Sequence, residues 1–291
     1  MINFQYIADL VAIANKTHKP LSDIVWEWET KRGECSPETV WGKMESMLEV
    51  MKQATKQGVR QREKSYSGLV GGDACLLAQC DSFIGPVITK AAAYAMSVSE
   101  VNAGMGRIVA CPTAGSCGIV PGAILATGDF LKCQDDKLIR ALFTAAGVGE
   151  VIAGNASVSG AVGGCQAECG TAAAMAAAAV AEMLGGTPRQ SSNALALALK
   201  NMLGLVCDPV AGLVEVPCVK RNAFAAVHAL VAAQMTLAGI ESIIPADEVI
   251  DAMYRIGLDI PCTLRETSEG GLAKTPTALG ITKRLIKSNC Q

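Results

Sequence analysis

The sequence contains few aromatic and few charged side chains. Aromatic residues make up 4% of the 291 positions and charged residues 18%, below the quarter that is usual in soluble domains. The net charge is −2 and no run of basic residues occurs, which excludes binding to nucleic acid or to an anionic membrane surface. Hydrophobic residues reach 51%. The chain must therefore bury a large core, or a large surface against another chain.

No apolar stretch has the length and continuity of a membrane span, and no signal peptide is found. The alanine-rich run after Glu168 extends only to Glu182, short of the ~20 residues that a span needs. Residues 222–239 are uncharged but include several polar side chains, so both stretches are predicted to be core helices. Twelve cysteines without a signal peptide indicate free thiols in a reducing cytoplasm, and not a disulfide framework.

No segment alternates polar and apolar residues with the period of a β-strand. The chain is therefore predicted to be all-α, a compact multi-helix domain with small-residue loops. Residues 1–60 are predicted to form an N-terminal helical segment of three amphipathic helices. The third begins at Ser36-Pro37-Glu38, which supplies a cap, a first-turn proline and a first-turn acid. Residues 61–291 are predicted to form the catalytic domain, and no linker separates the two parts.

Small-residue loops interrupt the helices of the second part. In the segment 109–124, the residues Thr113, Ala114, Gly115 and Ser116 form a turn at a helix start. Such a turn exposes backbone N–H groups that can bind a carboxylate, although a plain loop between two buried helices is an equal alternative. A second loop spans 155–170, and a third, 207–218, contains two prolines.

Three cysteines lie beside residues that stop helices. Cys165 follows two glycines, Cys207 precedes Asp208-Pro209, and Cys218 follows Pro217. Unpaired backbone N–H groups at helix ends stabilise the thiolate that a metal or an iron–sulfur cluster requires. The spacing fits no compact C-x-x-C motif, and most buried cysteines only pack. The spacing alone therefore leaves a cluster site and inert packing both open.

Five segments together resemble the α chain of iron–sulfur-dependent L-serine dehydratase, in the form that is divided into α and β subunits. They are GLVGGDA, EVNAGMGRIVACPTAGSCGIVPGAI, the stretch from Ser157 to Glu168, NMLGLVCDPVAGLVEVPCVKRNA and ETSEGGLAKTPT. The resemblance extends from about Gly68 to Thr277, while residues 1–60 carry no such motif. It implies a cytoplasmic lyase of amino-acid degradation that removes water from L-serine and yields pyruvate and ammonia.

The resemblance also implies the cofactor and its ligands. A 4Fe–4S cluster is expected on Cys165, Cys207 and Cys218, with one iron open to substrate and no pyridoxal phosphate. The other cysteines become packing residues, although Cys169 lies one helical turn beyond Cys165 and is able to approach the cluster. The penultimate Cys290 is a candidate tail ligand for the open iron, and a plain surface tail is the alternative.

Under the same resemblance, Asn102 and the four residues from Thr113 to Ser116 are expected to bind the substrate carboxylate. The general base is not identified, because the chain has only two histidines and both lie outside the matching motifs. The β subunit is expected to contribute to the site, and Ser157 and Lys274 are the candidates within this chain. Two alternatives stay open: the same chemistry on L-threonine or L-cysteine, and a non-catalytic cluster-bearing sensor or scaffold.

Overall fold

The computed structural model describes residues 3–288, which form thirteen α-helices and no β-strand. The all-α prediction is confirmed. In chain order the helices are α1 (Ile7–Thr17), α2 (Leu21–Arg32), α3 (Pro37–Gly58), α4 (Asp73–Gln79), α5 (Pro86–Ala103), α6 (Ile119–Leu131), α7 (Asp135–Asn155), α8 (Gly160–Gly163), α9 (Thr171–Met183), α10 (Pro188–Lys200), α11 (Cys218–Leu237), α12 (Ala246–Asp259) and α13 (Pro276–Ser288). Short 3-10 turns occur at Ala114–Ser116, Val210–Gly212, Cys262–Leu264 and Gly271–Lys274, and a π-helical turn at Gln166–Gly170.

Helix α9 lies at the centre of the molecule. Its alanines are each at most 1% exposed, and α6, α7, α10 and α11 pack around it. Because an alanine side chain is a single methyl group, the neighbouring helices approach α9 closely on every side. The π-helical turn runs directly into the first residue of α9. The position of the buried helix α9 thus fixes the position of the π-helical turn.

The three predicted N-terminal helices are present as α1, α2 and α3, and the third begins at Pro37 as expected. The Ser36 hydroxyl accepts a hydrogen bond from the Thr39 N–H at 3.2 Å, and Pro37 is the first residue of α3. Trp26 of α2 and Trp41 of α3 pack against Phe143 of α7, with ring centroids 6.5 and 5.9 Å apart. These helices therefore share one hydrophobic core with the rest of the described chain.

Two helical stretches are long and apolar enough to cross a membrane, Ala114–Leu131 and Asp135–Asn155. In these windows 72% and 61% of the residues are buried within the fold. Burial of that extent is what a core helix shows, and α6 and α7 both pack against α9. Their apolar composition is accounted for by packing inside the protein.

The structure departs from the sequence-based expectation in two places. The segment 155–170 was expected to be a loop, yet it contains the short helix α8 and the π-helical turn. Helix α13 was not predicted, and it follows the last glycine-rich loop, where it packs near the turn Val210–Gly212. Cys290 lies outside the described residues.

Candidate active site

The folded chain brings the cysteine-bearing loops to one place. The sulfur atoms of Cys165 and Cys207 lie within 4.8 Å of each other and of a Glu168 carboxylate oxygen. Cys218 is also buried, and burial together with the nearby charges of Cys165 and Glu168 raises its pKa, but its sulfur is not part of the group that lies within 4.8 Å. Residues that are far apart in the sequence therefore form a single buried cluster, which we call the thiol site: Cys165, Glu168, Cys207 and Cys218.

Each cysteine of the thiol site is held by a different kind of local structure. Cys165 immediately precedes the π-helical turn, and Cys218 is the first residue of α11. Cys207 lies in an extended stretch that runs beside the last glycine-rich loop. Its N–H donates to the Leu264 carbonyl at 2.8 Å, and its carbonyl accepts from the Glu266 N–H at 2.7 Å.

The π-helical turn carries further groups toward the thiol site. Glu168 and Cys169 both lie within it, and the sulfur of Cys169 is 3.7 Å from that of Cys165. A π turn is wider than an α turn and is frequent at functional sites. Cys169 therefore reaches the site, as its position one turn beyond Cys165 suggested.

The small-residue turn that was predicted to bind a carboxylate lies against the thiol site. The Thr113 hydroxyl donates to Oε1 of Glu168 at 2.8 Å, and the Thr113 N–H donates to the Ser116 hydroxyl at 3.4 Å. Asn102, at the end of α5, donates from Nδ2 to the Ala114 carbonyl at 3.3 Å. Of the five predicted substrate-binding residues, four thus form the turn from Thr113 to Ser116, and the fifth, Asn102, is hydrogen-bonded to it. The turn faces a carboxylate that belongs to the protein itself.

Asn222 fastens this turn to the helix that carries Cys218. Its side chain is fully buried, and Nδ2 donates to the carbonyls of Gly115 at 2.8 Å and Cys218 at 2.9 Å. Its Oδ1 accepts from the Gly118 N–H at 2.9 Å. Sequence reasoning missed this residue, although a polar side chain four positions after Cys218 in an apolar helix was a signal of it.

The thiols of the site differ sharply in acidity. Hydrogen bonds from Cys169 and Cys207, together with the nearby positive charge of Arg221, hold the pKa of Cys165 well below its usual range. The bond to Cys165 and burial raise the pKa of Cys207, and burial raises that of Cys218 to about 12. The protein alone therefore stabilises one thiolate here. A second or third needs a positive charge such as that of bound iron.

Glu168 is the second group that sequence reasoning missed. Burial raises its pKa to about 7, against the opposing effect of the Thr113 hydrogen bond. A carboxyl group of that acidity exchanges a proton readily at neutral pH. The available signal was an acidic residue beside Cys165, at the start of a helix that is otherwise almost all alanine.

The other proposed catalytic residues are not brought into the thiol site. Ser157 is half-buried in the loop before α8, and its hydroxyl accepts from the Ser159 N–H at 3.1 Å. Lys274 is exposed at the end of a 3-10 turn. Among residues 3–288, neither side chain makes a hydrogen bond or ion pair with a residue of the thiol site. The Nε2–H of His228 donates to the Ala198 carbonyl at 2.9 Å, as expected of a packed residue.

Gly160 of α8 lies against the thiol site, and because it has no side chain there is room for Glu168 and Cys207. A Cβ atom at this position would lie 2.7 Å from Oε2 of Glu168 and 3.2 Å from the sulfur of Cys207. We therefore expect Gly160→Ala to displace both groups and to remove the L-serine turnover that the resemblance implies, with little change in helical content. The control is Gly154→Ala, where no atom lies within 4 Å of the added methyl group. Turnover and circular dichroism of both variants check this, and wild-type turnover in Gly160→Ala would contradict the packing.

Comparisons with known proteins agree with the resemblance. The family described as serine dehydratase alpha chain matches residues 16–273. A probable L-serine dehydratase, alpha chain, of Bacillus subtilis (strain 168) is 51% identical over 287 residues, which cover 97% of this chain and 95% of that protein. The L-serine dehydratase, alpha chain, of Peptoniphilus asaccharolyticus is 40% identical over 96% of this chain and 97% of that protein. The L-serine dehydratase TdcG of Escherichia coli (strain K12) is 47% identical over 182 residues. The aligned region covers 62% of this chain and 40% of that protein, which is longer.

Proposed function

The chain belongs to the serine dehydratase alpha chain family, and from that premise we propose that it is the cluster-bearing α subunit of an iron–sulfur-dependent L-serine dehydratase. L-serine loses its α-proton and its β-hydroxyl as water, and the resulting aminoacrylate tautomerises and hydrolyses to pyruvate and ammonia. The observation that carries the proposal is the convergence of Cys165, Cys207 and Glu168 within 4.8 Å, beside a turn suited to a carboxylate and with Cys218 buried nearby.

The residues of the thiol site fit a 4Fe–4S cluster on Cys165, Cys207 and Cys218. Thiolates are the ligands that such clusters take in proteins. The absence of a side chain at Gly160 keeps the space between Cys207 and Glu168 open. Burial and neighbouring groups raise the pKa of Cys207 and of Cys218, so binding of a cluster by these two thiols would release their protons.

When bound, a cluster with one iron free of cysteine supplies a Lewis acid for the carboxylate and hydroxyl oxygens of serine. The chain's own contribution to binding is the turn from Thr113 to Ser116. Its N–H and hydroxyl donors are suited to the substrate carboxylate and to the negative charge that develops as the α-proton leaves. Asn102 and Asn222 hold the two sides of the turn, so its donors are set before substrate arrives.

Glu168 is the best-placed proton-transfer group of this chain. Its carboxylate is buried between the turn and the sulfurs of Cys165 and Cys207, and Thr113 fixes its orientation through a hydrogen bond of 2.8 Å. Ser157 and Lys274 have no comparable contact with the thiol site among the described residues. Glu168 therefore replaces them as our candidate for moving the substrate proton.

A β subunit completes the enzyme in this proposal. The names of the relatives that align end to end with this chain contain the words alpha chain, and the relative from Escherichia coli is a longer single protein. A cytoplasmic location is proposed with it, since the eleven cysteines of the described region are all free thiols, as in a reducing compartment.

The proposal is tested by anaerobic reconstitution with iron and sulfide, with and without the β subunit, followed by a pyruvate assay. We expect the α chain alone to take up the cluster but to turn over L-serine slowly, and the β subunit to raise kcat. Failure of the pair to incorporate iron and sulfide would refute the cluster. A full rate from the α chain alone would refute the need for a partner.

The alternative substrates L-threonine and L-cysteine carry the same α-carboxylate that the turn is suited to bind. The relatives are named for L-serine, which favours serine for this chain. The ratio of kcat/KM among the three amino acids on reconstituted enzyme separates the alternatives. A purely sensory role would instead leave the spectrum of the centre unchanged when L-serine is added.

A further inference from the structure

We propose that Arg221 is a positioning residue that joins the segments carrying Cys207 and Cys218 and stabilises negative charge at the thiol site. The inference rests on the proposed cluster. Arg221 lies three positions after Cys218, one turn along α11, and its ion pair with Asp208 is largely buried, with 18% and 4% of the two side chains exposed. A largely buried guanidinium thus lies beside the segment that carries Cys207.

The guanidinium of Arg221 binds both neighbours of Cys207. Nη1 donates to the Val206 carbonyl at 2.9 Å, and Nη2 donates to Oδ1 of Asp208, also at 2.9 Å. Two parallel contacts on either side of one residue fix both its distance and its orientation. This side chain therefore links Cys207 to the helix that begins with Cys218, in addition to the backbone bonds of Cys207 to Leu264 and Glu266.

The geometry of these contacts favours an arginine over a lysine. Lysine carries the same charge but cannot bind the Val206 carbonyl and the Asp208 carboxylate in this way, because its donors sit on one nitrogen and not on a planar fork. Arginine is thus the side chain suited to hold the Cys207 segment against the helix that begins with Cys218.

Asp208 anchors the far side of the contact. Its Oδ2 accepts from the Leu272 N–H at 2.8 Å, so both carboxylate oxygens are engaged. Gly271 has a φ of 54°, and a Cβ atom there would lie 2.4 Å from Oδ2 of Asp208. The glycine-rich loop 270–274 therefore closes on Asp208, which holds the carboxylate toward Arg221.

A positive charge and an N–H donor beside cluster sulfur stabilise the reduced, more negative cluster and so raise its reduction potential. Loss of a residue that orients metal ligands typically weakens metal binding by about 10- to 100-fold. The reduction potential and the strength of iron binding therefore distinguish a residue that positions the cluster ligands from an ion pair that only stabilises the fold. An ion pair that only stabilised the fold would change the melting temperature and leave the potential unchanged.

The test uses the full chain with its β subunit, reconstituted anaerobically, as wild type, Arg221→Gln and Arg221→Lys. Iron release to a chelator and the midpoint potential of the cluster are measured, with circular dichroism melting as the folding control. We expect iron release to be about 10-fold faster in Arg221→Gln and its potential to be more negative. Arg221→Lys should fall between, because it keeps the charge and loses the fork. If Arg221→Gln fails to fold, Arg221→Lys carries the comparison.

Lys220→Gln is the matched control, since Lys220 is the adjacent cation on α11 and pairs with the exposed face of Asp73. It should keep the wild-type potential and iron retention. Unchanged potential and retention in the folded Arg221 variants would overturn the inference while leaving the proposed function intact. If wild type itself takes up no cluster, the proposed function fails first, and the inference fails with it.

Discussion

Serine in place of Cys165, Cys207 or Cys218 is expected to abolish the cluster and L-serine turnover together. A serine hydroxyl does not ionise at neutral pH and is a poor ligand for iron in such clusters, so each change removes one of three proposed attachments. Iron and sulfide content after anaerobic reconstitution, visible absorbance and pyruvate formation measure the effect. All three should fall to background in each variant.

Two further serine substitutions make this experiment decisive. Cys133→Ser is the remote control, because Cys133 is half-buried after α6 and, within residues 3–288, makes no hydrogen bond with a residue of the thiol site. Cys169→Ser is the close control, since its sulfur lies 3.7 Å from that of Cys165 yet is not a proposed ligand. Both should retain the cluster. A Cys218→Ser variant with a full cluster, beside a Cys169→Ser variant without one, would reassign the third ligand.

Glu168→Gln is expected to lower kcat by about 10²- to 10⁴-fold, the usual contribution of a group that transfers a proton. Glutamine preserves the size of the side chain and its ability to accept from Thr113, but it does not take up a proton. Iron and sulfide content should stay near wild type, because Glu168 is not a proposed cluster ligand. The measurements are kcat for L-serine and the iron content of the same sample.

Glu266→Gln is the control for a simple change of charge near the site. Glu266 is exposed, and it is close enough to influence the pKa of Glu168 and of Cys207. It should lose far less activity than Glu168→Gln. Equal losses in the two variants would argue that Glu168 acts through its charge alone. Loss of iron in Glu168→Gln would assign it to binding the cluster instead.

The helices could be predicted from the sequence where local signals are strong. Ser36 and Pro37 set the start of α3, where the side-chain cap and the first-turn proline lie as predicted. The π-helical turn could not be predicted, because it depends on packing between α9 and its neighbours and leaves no local pattern. Helix α13 was missed because no element was assigned to the residues that follow the last glycine-rich loop.

Part of the candidate site could also be predicted, because some of its residues lie in strong local sequence motifs. The three cysteines and the turn from Thr113 to Ser116 lie in short motifs, so they could be named before their arrangement was known. Glu168, Arg221 and Asn222 act through contacts between segments that are distant in the sequence. Periodicity gives no information on such contacts. A polar residue within an apolar helix was the only local sign of Asn222.

The alanine helix α9 has a consequence for how the protein tolerates change. Its central side chains are already the smallest that a regular helix commonly uses, and they have no free volume around them. A larger residue at the middle of α9 must push a neighbouring helix outward, since no rotamer change can absorb the extra atoms. The π-helical turn with Glu168 is attached to the same helix, so substitutions deep in the core should alter catalysis without touching any residue that meets the substrate.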